Sequence, residues 1–403
     1  MESVQKIELQ QWMKAPETVA VIDALGLGKA LFVGGCVRNT LLMRDVEDID
    51  IATILTPEEA AERLEAAGIK VVPTGVEHGT VTAVSGGKGF EITTLRKDVE
   101  TDGRRAVVAF TEDWAEDAQR RDFTMNTLLA DMEGNIFDPT GQGLADLKAR
   151  KVVFVGESTE RIAEDYLRIL RLFRFHALYG EGEIDAGALA ACKVAADKIA
   201  TLSAERITQE FFKIIAVDKP EDILRIMFDN NVLNEFFYPE YDPKLLGHFC
   251  EFQKRYGLIA LPSRLFVLAG MKLDNVNNME KLLLFPKVFR KDIESLSKVL
   301  EMDDLGNEQS VKVAVYRHGR VATAQALTLE VVLDRVVNGF APKALDIIQN
   351  WEVPNLPVSG DDLMKAGIPE GPALGQKLSA IEEWWIGEGF VADKEACLKT
   401  QIQ

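Results

Sequence analysis

The sequence predicts an α+β fold, a small mixed α/β head followed by a long all-helical remainder. Three observations carry that prediction. Short apolar or alternating runs fill the first third: Ala30-Leu31-Phe32-Val33 stopping at Gly34-Gly35, then Ile49, Ile51 and Thr53 alternating with Asp48 and Asp50, then Glu91-Ile92-Thr93-Thr94-Leu95. From Thr159 onward the apolar spacing is helical almost to the end. With 403 residues, 47% hydrophobic and 27% charged, the chain can build packed cores, which argues for two or three domains and against large-scale disorder.

The elements follow in order. A helical N-terminal stretch precedes the strand at Ala30–Val33, and Val37, Leu41 and Leu42 give a helix directly after the glycines. Asp48 to Thr53 reads as a half-polar strand, Pro57 to Ala67 as a helix, and the runs around Val81 and Glu91–Leu95 as strands. Residues 97–119 are strongly polar without periodicity, which predicts a mobile functional loop rather than a plain connector. Pro354, Pro357 and glycines 360, 367, 371 and 375 punctuate the last segment.

Charge and cysteine usage narrow the function. A net charge of −18 excludes an indiscriminate polyanion binder or a basic membrane binder. The four cysteines and four histidines are dispersed, so neither a disulfide framework nor a zinc site from sequence-local ligands is expected. The N-terminus mixes Glu2, Lys6, Glu8 and Lys14 with apolar residues, unlike a signal peptide, and no apolar run reaches membrane-spanning length. A soluble, cytoplasmic protein with no membrane partner is expected.

Three constellations carry chemistry. Gly34-Gly35 between a strand and a helix lets backbone amides approach a phosphate, and Arg38 in the first helical turn adds a charge-assisted contact. Asp48 and Asp50, two apart on one strand, share a face and suit Mg²⁺, which takes one or two carboxylates plus substrate phosphates. Alone, each is a glycine turn or a solvated strand edge. In this order and spacing they favour nucleotidyl transfer by a two-ion site. Gly26-Leu27-Gly28-Lys29 lacks the spacing of a P-loop and is a plain loop.

The second constellation is Arg120-Arg121-Asp122-Phe123-Thr124-Met125-Asn126, equally compatible with a surface salt-bridge cluster and with a triphosphate contact. The third runs from Arg161 to Phe175. On one helix at ~100° per residue, Arg161, Glu164, Asp165, Arg168 and Arg171 share a face, with Arg174 at its margin and Ile162, Tyr166, Ile169, Leu170 and Phe173 opposite. Leu172 and Phe175 intrude on the charged face, so it is not purely water-facing. Four arginines there, in so acidic a chain, suit a polyphosphate or a base edge.

Together, Val33-Gly34-Gly35-Cys36-Val37-Arg38, Asp48-x-Asp50, Arg120-Arg121-Asp122-Phe123-Thr124-x-Asn126 and Glu164-Asp165-x-x-Arg168 resemble the ordered motifs of class II tRNA nucleotidyltransferases, the CCA-adding enzymes and the related bacterial poly(A) polymerases. These strong motifs cover residues 30–178. Weaker matches include His78-Gly79-Thr80-Val81, Phe137-Asp138-Pro139-Thr140-Gly141, Leu202-Ser203-Ala204-Glu205-Arg206-Ile207 and Gly360-x-Asp362-Leu363. The resemblance implies a nucleotidyltransferase palm in residues 1–140, a helical neck reading the nucleotide base in 141–235, and a tRNA-binding helical body and tail in 236–403. It implies that Asp48 and Asp50 are the catalytic metal ligands, with Glu91 matching a third carboxylate. It further implies that Gly35, Arg38 and Arg121 contact the triphosphate, that Asp165 and Arg168 read the base, and that Arg171 and Arg174 support nucleotide binding.

The implied substrates are CTP, ATP and the tRNA 3′ end, with Mg²⁺ as cofactor. A poly(A) polymerase is disfavoured because such relatives are typically basic with an Arg/Lys-rich extension. A partial, CC-only activity is disfavoured because such members lack a flexible head loop, which Asp98 to Glu116 resembles. A catalytically silent RNA- or nucleotide-binding protein is disfavoured by the intact Asp48 and Asp50. Departures from the family pattern fall at Asn39, Met43, Thr127 and Val153, where Asp, Gly, Ala and Arg are respectively common; none removes a metal ligand or the base-reading pair.

Overall fold

The computed structural model describes residues 1–75, 79–101, 106–302, 305–336 and 339–400, in two compact units, Met1–Asn234 and Glu235–Gln403. Among the described residues there are ten strands, all in the first unit: β1 (Gln5–Lys6), β2 (Ala30–Val33), β3 (Ile49–Thr53), β4 (Lys70–Gly75), β5 (Thr80–Ser85), β6 (Lys88–Thr94), β7 (Arg96–Thr101), β8 (Ala106–Phe110), β9 (Leu129–Ala130) and β10 (Asn135–Phe137). Eight of them form one mixed sheet in the order β1-β10-β9-β2-β3-β6-β5-β4, with β2 antiparallel and β6 parallel to β3. The unbroken apolar run of β2 suits its central place, where all four residues are buried. Pro73 falls in β4, an edge strand, where a missing amide costs no ladder bond. Helix Pro57–Ala66 starts as its sequence directs: Thr56 caps it, Pro57 opens the first turn, and Glu59 reaches back to the Thr56 amide.

Two expectations are corrected here. Residues 97–119 are not an aperiodic loop: β7 and β8 pair as an antiparallel ribbon, and Trp114–Gln119 is a helix capped by Asp113. One strand is mostly polar, the other a short apolar run, and their register shifts, so the segment shows no alternation to detect. Asp102–Arg105 and His78 lie outside the described residues. Nor is the arginine-rich segment one helix. It is two, Ser158–Glu164 and Leu167–Tyr179, broken where Asp165 adopts φ −155°, ψ 106°. The apolar residues behind the second helix pack as expected, and Leu172 and Phe175 are buried with them.

The second unit is helical throughout its described elements. Helix Arg320–Val332 is buried on nearly all sides, consistent with its run of Ala, Thr and Leu, and packs against Pro243–Tyr256, Lys287–Leu300, Glu308–His318 and Ala341–Asn350. A separate apolar cluster near the end gathers Val358, Leu363, Ile381, Trp385, Ile386 and Cys397. The Gly360-x-Asp362-Leu363 stretch opens a helix, with the Asp362 carboxylate accepting from the Ser359 amide and hydroxyl. Among the described residues no helix is long and apolar enough to cross a membrane.

Candidate active site

The site is built around the turn from β2 into helix Gly35–Leu41. Gly34 sits at φ 70°, ψ −124°, a backbone state that disfavours any side chain. Because Val33 pairs with Asp50 across β2 and β3, and Asp50 with Glu91 across β3 and β6, the Asp50 carboxylate lies between the glycine turn and Glu91. Asp48 precedes the strand and is exposed. Burial, then the negative charges of Glu91 and Asp48, push the Asp50 carboxyl up to about 6, against the opposing pull of Arg121 and Arg38.

Arg38 is only 7% exposed. Its Nη1 donates to Asn126 Oδ1 at 2.6 Å, and its Nη2 donates to Asn39 Oδ1 at 3.1 Å and Tyr179 Oη at 2.8 Å. Its buried Nε has no partner among the described residues. Arg121 grips one oxygen of Asp117 through Nε and Nη2, at 3.0 and 2.8 Å, while Arg120 takes the other. Burial alone would raise the Asp117 pKa, but Arg121 and Arg120 hold it below the usual carboxylate range. Arg161 donates to the backbone carbonyls of Arg120 and Arg121, tying helix Ser158–Glu164 to this segment.

Asp122 is a hub. It accepts from Arg171 Nε at 2.8 Å, from Arg171 Nη2, from Asn126 Nδ2 at 2.9 Å and from its neighbour's amide at 2.8 Å. Burial pushes its pKa up, but Arg171 and Asn126 outweigh that and keep it ionised. The extended backbone at Asp165 turns its carboxylate out of helical register. One oxygen accepts from the Leu167 amide at 3.1 Å and the other from Arg206 Nη2 at 2.7 Å. Arg168 pairs with Glu164 and donates to the Arg161 carbonyl. Arg174 pairs with buried Glu210 at 2.6 Å and lies over the Phe175 ring.

A cleft of about 450 Å³ results. It brings together Gly35, Arg38, Asp50, Arg121, Asp165, Arg168 and Arg171; Asp48 and Arg174 do not line it. Asp122, Asn126, Phe175 and Arg206 also line the cleft, and the sequence reading assigned none of them a role. Asp122 and Asn126 stood inside a quoted motif and Arg206 inside a weaker one; only their convergence marks them. Five arginines face three aspartates, a positive lining in a chain of net charge −18. Such a lining suits a polyphosphate. Among the described residues no group of three or more His, Cys, Asp or Glu side chains is placed to hold a metal ion by itself.

Comparison with known proteins identifies the family. Residues 30–153 match the family described as "Poly A polymerase head domain", residues 183–245 an RNA and SrmB-binding site of polymerase A, and residues 262–400 domain 2 of tRNA nucleotidyltransferases. The mitochondrial CCA tRNA nucleotidyltransferase 1 of Danio rerio is 34% identical over 378 residues, covering 92% of this chain and 86% of that protein. The CCA-adding enzyme of Limosilactobacillus fermentum is 32% identical, covering 92% of both chains. In fold, the chain resembles the crystal structure of the Bacillus stearothermophilus CCA-adding enzyme in complex with CTP, with a TM-score of 0.75 at 24% identity over 93% of each chain. With a poly(A) polymerase head domain and relatives at this identity over nearly their whole length, the chain belongs to the family of CCA-adding enzymes and CCA tRNA nucleotidyltransferases.

Proposed function

We propose that this protein completes the 3′ end of tRNA with CCA, taking CTP and then ATP. The carrying observation is a single cleft that joins Asp50, beside a glycine turn, to an arginine-rich lining that also contains Asp165 and Arg168. The tRNA 3′-oxygen bonds to the α-phosphorus of the nucleotide, the bond from that phosphorus to the bridging oxygen breaks, and pyrophosphate leaves. Gly35, Arg38 and Arg121 hold the triphosphate, and Arg171 and Arg174 support it.

Asp165 and Arg168 read the base. Cytosine and adenine both present an exocyclic amine beside an unprotonated ring nitrogen. A carboxylate only accepts and a guanidinium only donates, so the pair matches both bases. Guanine and uracil present an oxygen and a protonated nitrogen there, and each partner then faces its like. In this structure Asp165 is held by Arg206 and the Leu167 amide, and Arg168 by Glu164, so both groups stand preoriented on either side of the helix break.

Asp48 and Asp50 supply hard oxygen donors, and their mutual repulsion, with that of Glu91, is what a divalent cation relieves. The fit is to Mg²⁺, which completes its shell with water and phosphate oxygens rather than a full protein cage. Held there as two ions, Mg²⁺ would activate the attacking hydroxyl and neutralise the leaving oxygen. We assign residues 1–140 to the catalytic head, 141–235 to a base-reading neck, and 236–403 to tRNA binding.

The test supplies purified protein and Mg²⁺ with tRNA transcripts lacking CCA, ending in C, and ending in CC, with CTP and ATP added separately. CMP enters the first two and a single AMP the last. Repeated adenylation of unrelated RNA would instead indicate a poly(A) polymerase. No incorporation at all would indicate a silent nucleotide binder.

A further inference from the structure

Arg38 differs from every other arginine of the cleft. Arg121 is paired with Asp117, Arg168 with Glu164, Arg171 with Asp122 and Arg206 with Asp165. Of these five cleft arginines Arg38 alone has no carboxylate at ion-pair distance among the described residues, although it is buried. Its partners are two neutral amide oxygens and the phenol of Tyr179. Tyr179 touches it twice over, accepting from Nη2 at 2.8 Å and presenting a ring whose centre lies 4.2 Å from the guanidinium carbon. The Phe175 ring lies 5.2 Å from the same carbon. A guanidinium held this way is oriented without a direct ion pair, which leaves it available to an anion.

Tyr179 is the last residue of helix Leu167–Tyr179, half-buried, and does not line the cleft. It falls one residue past the motif region, so no motif marked it. The helix that ends at Tyr179 begins beside Asp165 and carries Arg168. Its far end therefore reaches back to the helix that follows the glycine turn. A second cation, Arg44, also lies over the Tyr179 ring, at 4.9 Å from its centre.

We propose that Tyr179 is a positioning residue for nucleotidyl transfer, a neutral clamp that aims Arg38 at the triphosphate and sets the spacing between triphosphate-binding and base-reading groups. The inference rests on the function proposed above. Because the triphosphate is common to both substrates, Tyr179 acts equally on CTP and ATP and leaves base choice alone.

Steady-state kinetics with CTP on tRNA lacking CCA, and with ATP on tRNA ending in CC, test this. Tyr179→Phe keeps the ring and loses the acceptor, and is expected to raise KM for both nucleotides about tenfold, the loss typical of a hydrogen bond to a charged group. It should leave kcat within about twofold and discrimination against UTP and GTP unchanged, given that only the shared triphosphate is affected. Tyr179→Leu also loses the ring and raises KM further. Combined with Arg38→Lys, Tyr179→Phe should cost less than the sum of the two single changes, since one acts through the other. Unchanged KM in Tyr179→Phe, a shift for one nucleotide only, or full additivity with Arg38→Lys overturns the proposal. Failure of the unaltered protein to incorporate CTP would instead count against the function itself, so the two failures are separable.

Discussion

The two units bury polar groups in different ways. In the first unit the buried charged side chains are Arg38, Asp117, Asp122, Arg161 and Glu210, and each lines the cleft or is bonded to a residue that does. In the second, Gln253, Ser263, Gln325 and Arg264 form a buried network in which amides, a hydroxyl and one guanidinium bond to one another across three helices. Burying a charge costs several kcal/mol in desolvation, whereas a self-satisfied amide network costs little. The lesson is that the first unit gathers its buried charges around the cleft, where a field must act on a ligand, whereas the second sets one buried guanidinium, Arg264, in a network of amides and a hydroxyl that pins helices in register.

Removing the metal-binding charge of Asp50 should break function without breaking the fold. Asp50→Asn is expected to lower CTP incorporation by at least on the order of 10³-fold, since a metal-binding carboxylate is lost. Its thermal midpoint should not fall, because one of three mutually repelling acids is removed. Retained turnover would refute the role given to Asp50.

Asp122→Ala should affect both activity and stability. It leaves Arg171 with only the longer contact to Glu210 and frees Asn126, at a cost of about 2–3 kcal/mol in stability and roughly 10²-fold in kcat/KM. Because the folded-state pKa of Asp122 lies below its unfolded value, this contribution is present above the unfolded pKa of about 3.9 and lost as acidification passes through the lower, folded value. Thermal melts of both proteins over a pH series would therefore differ most near neutrality and converge in acid; a gap that persists into strong acid would contradict the hub assignment.

The second unit should respond oppositely. Gln253→Leu preserves volume but leaves Ser263, Gln325 and Arg264 each short of a bond, costing about 1–3 kcal/mol. Urea melts should register that loss while KM for CTP stays unchanged; a shifted KM would mean that the network does more than pin helices. The smallest effect is expected at Met43, 95% exposed at φ 54°. There Met43→Gly relieves left-handed strain and should raise stability by about 0.5–1 kcal/mol, without altering turnover.

That last position shows how far local sequence reaches. The resemblance implies glycine at position 43, and the positive φ there gives a physical reason for it. Much else was legible for similarly local causes. The buried run of β2 and the capping signals of helix Pro57–Ala66 follow from periodicity and propensity, as does the glycine turn ahead of Arg38. The arginine-rich segment was legible only in part: its apolar face was read correctly, but side-chain spacing could not reveal the break at Asp165. The two helices share a common apolar backing, and periodicity carries across one extended residue.

By itself, then, the sequence determined most of the elements, the family and the residue types of the cleft, because each depends on near neighbours along the chain. Only the tertiary structure decided which charges meet. Arg206 reaches Asp165 across 41 positions, Arg171 reaches Asp122 across 49, and Tyr179 reaches Arg38 across 141. Such pairings are set by how the sheet and helices pack, and electrostatic energy depends on distance in space rather than on separation along the chain. That is why five similar arginines could be counted in advance, yet the one left without a carboxylate, and the tyrosine that holds it, emerged only from the fold.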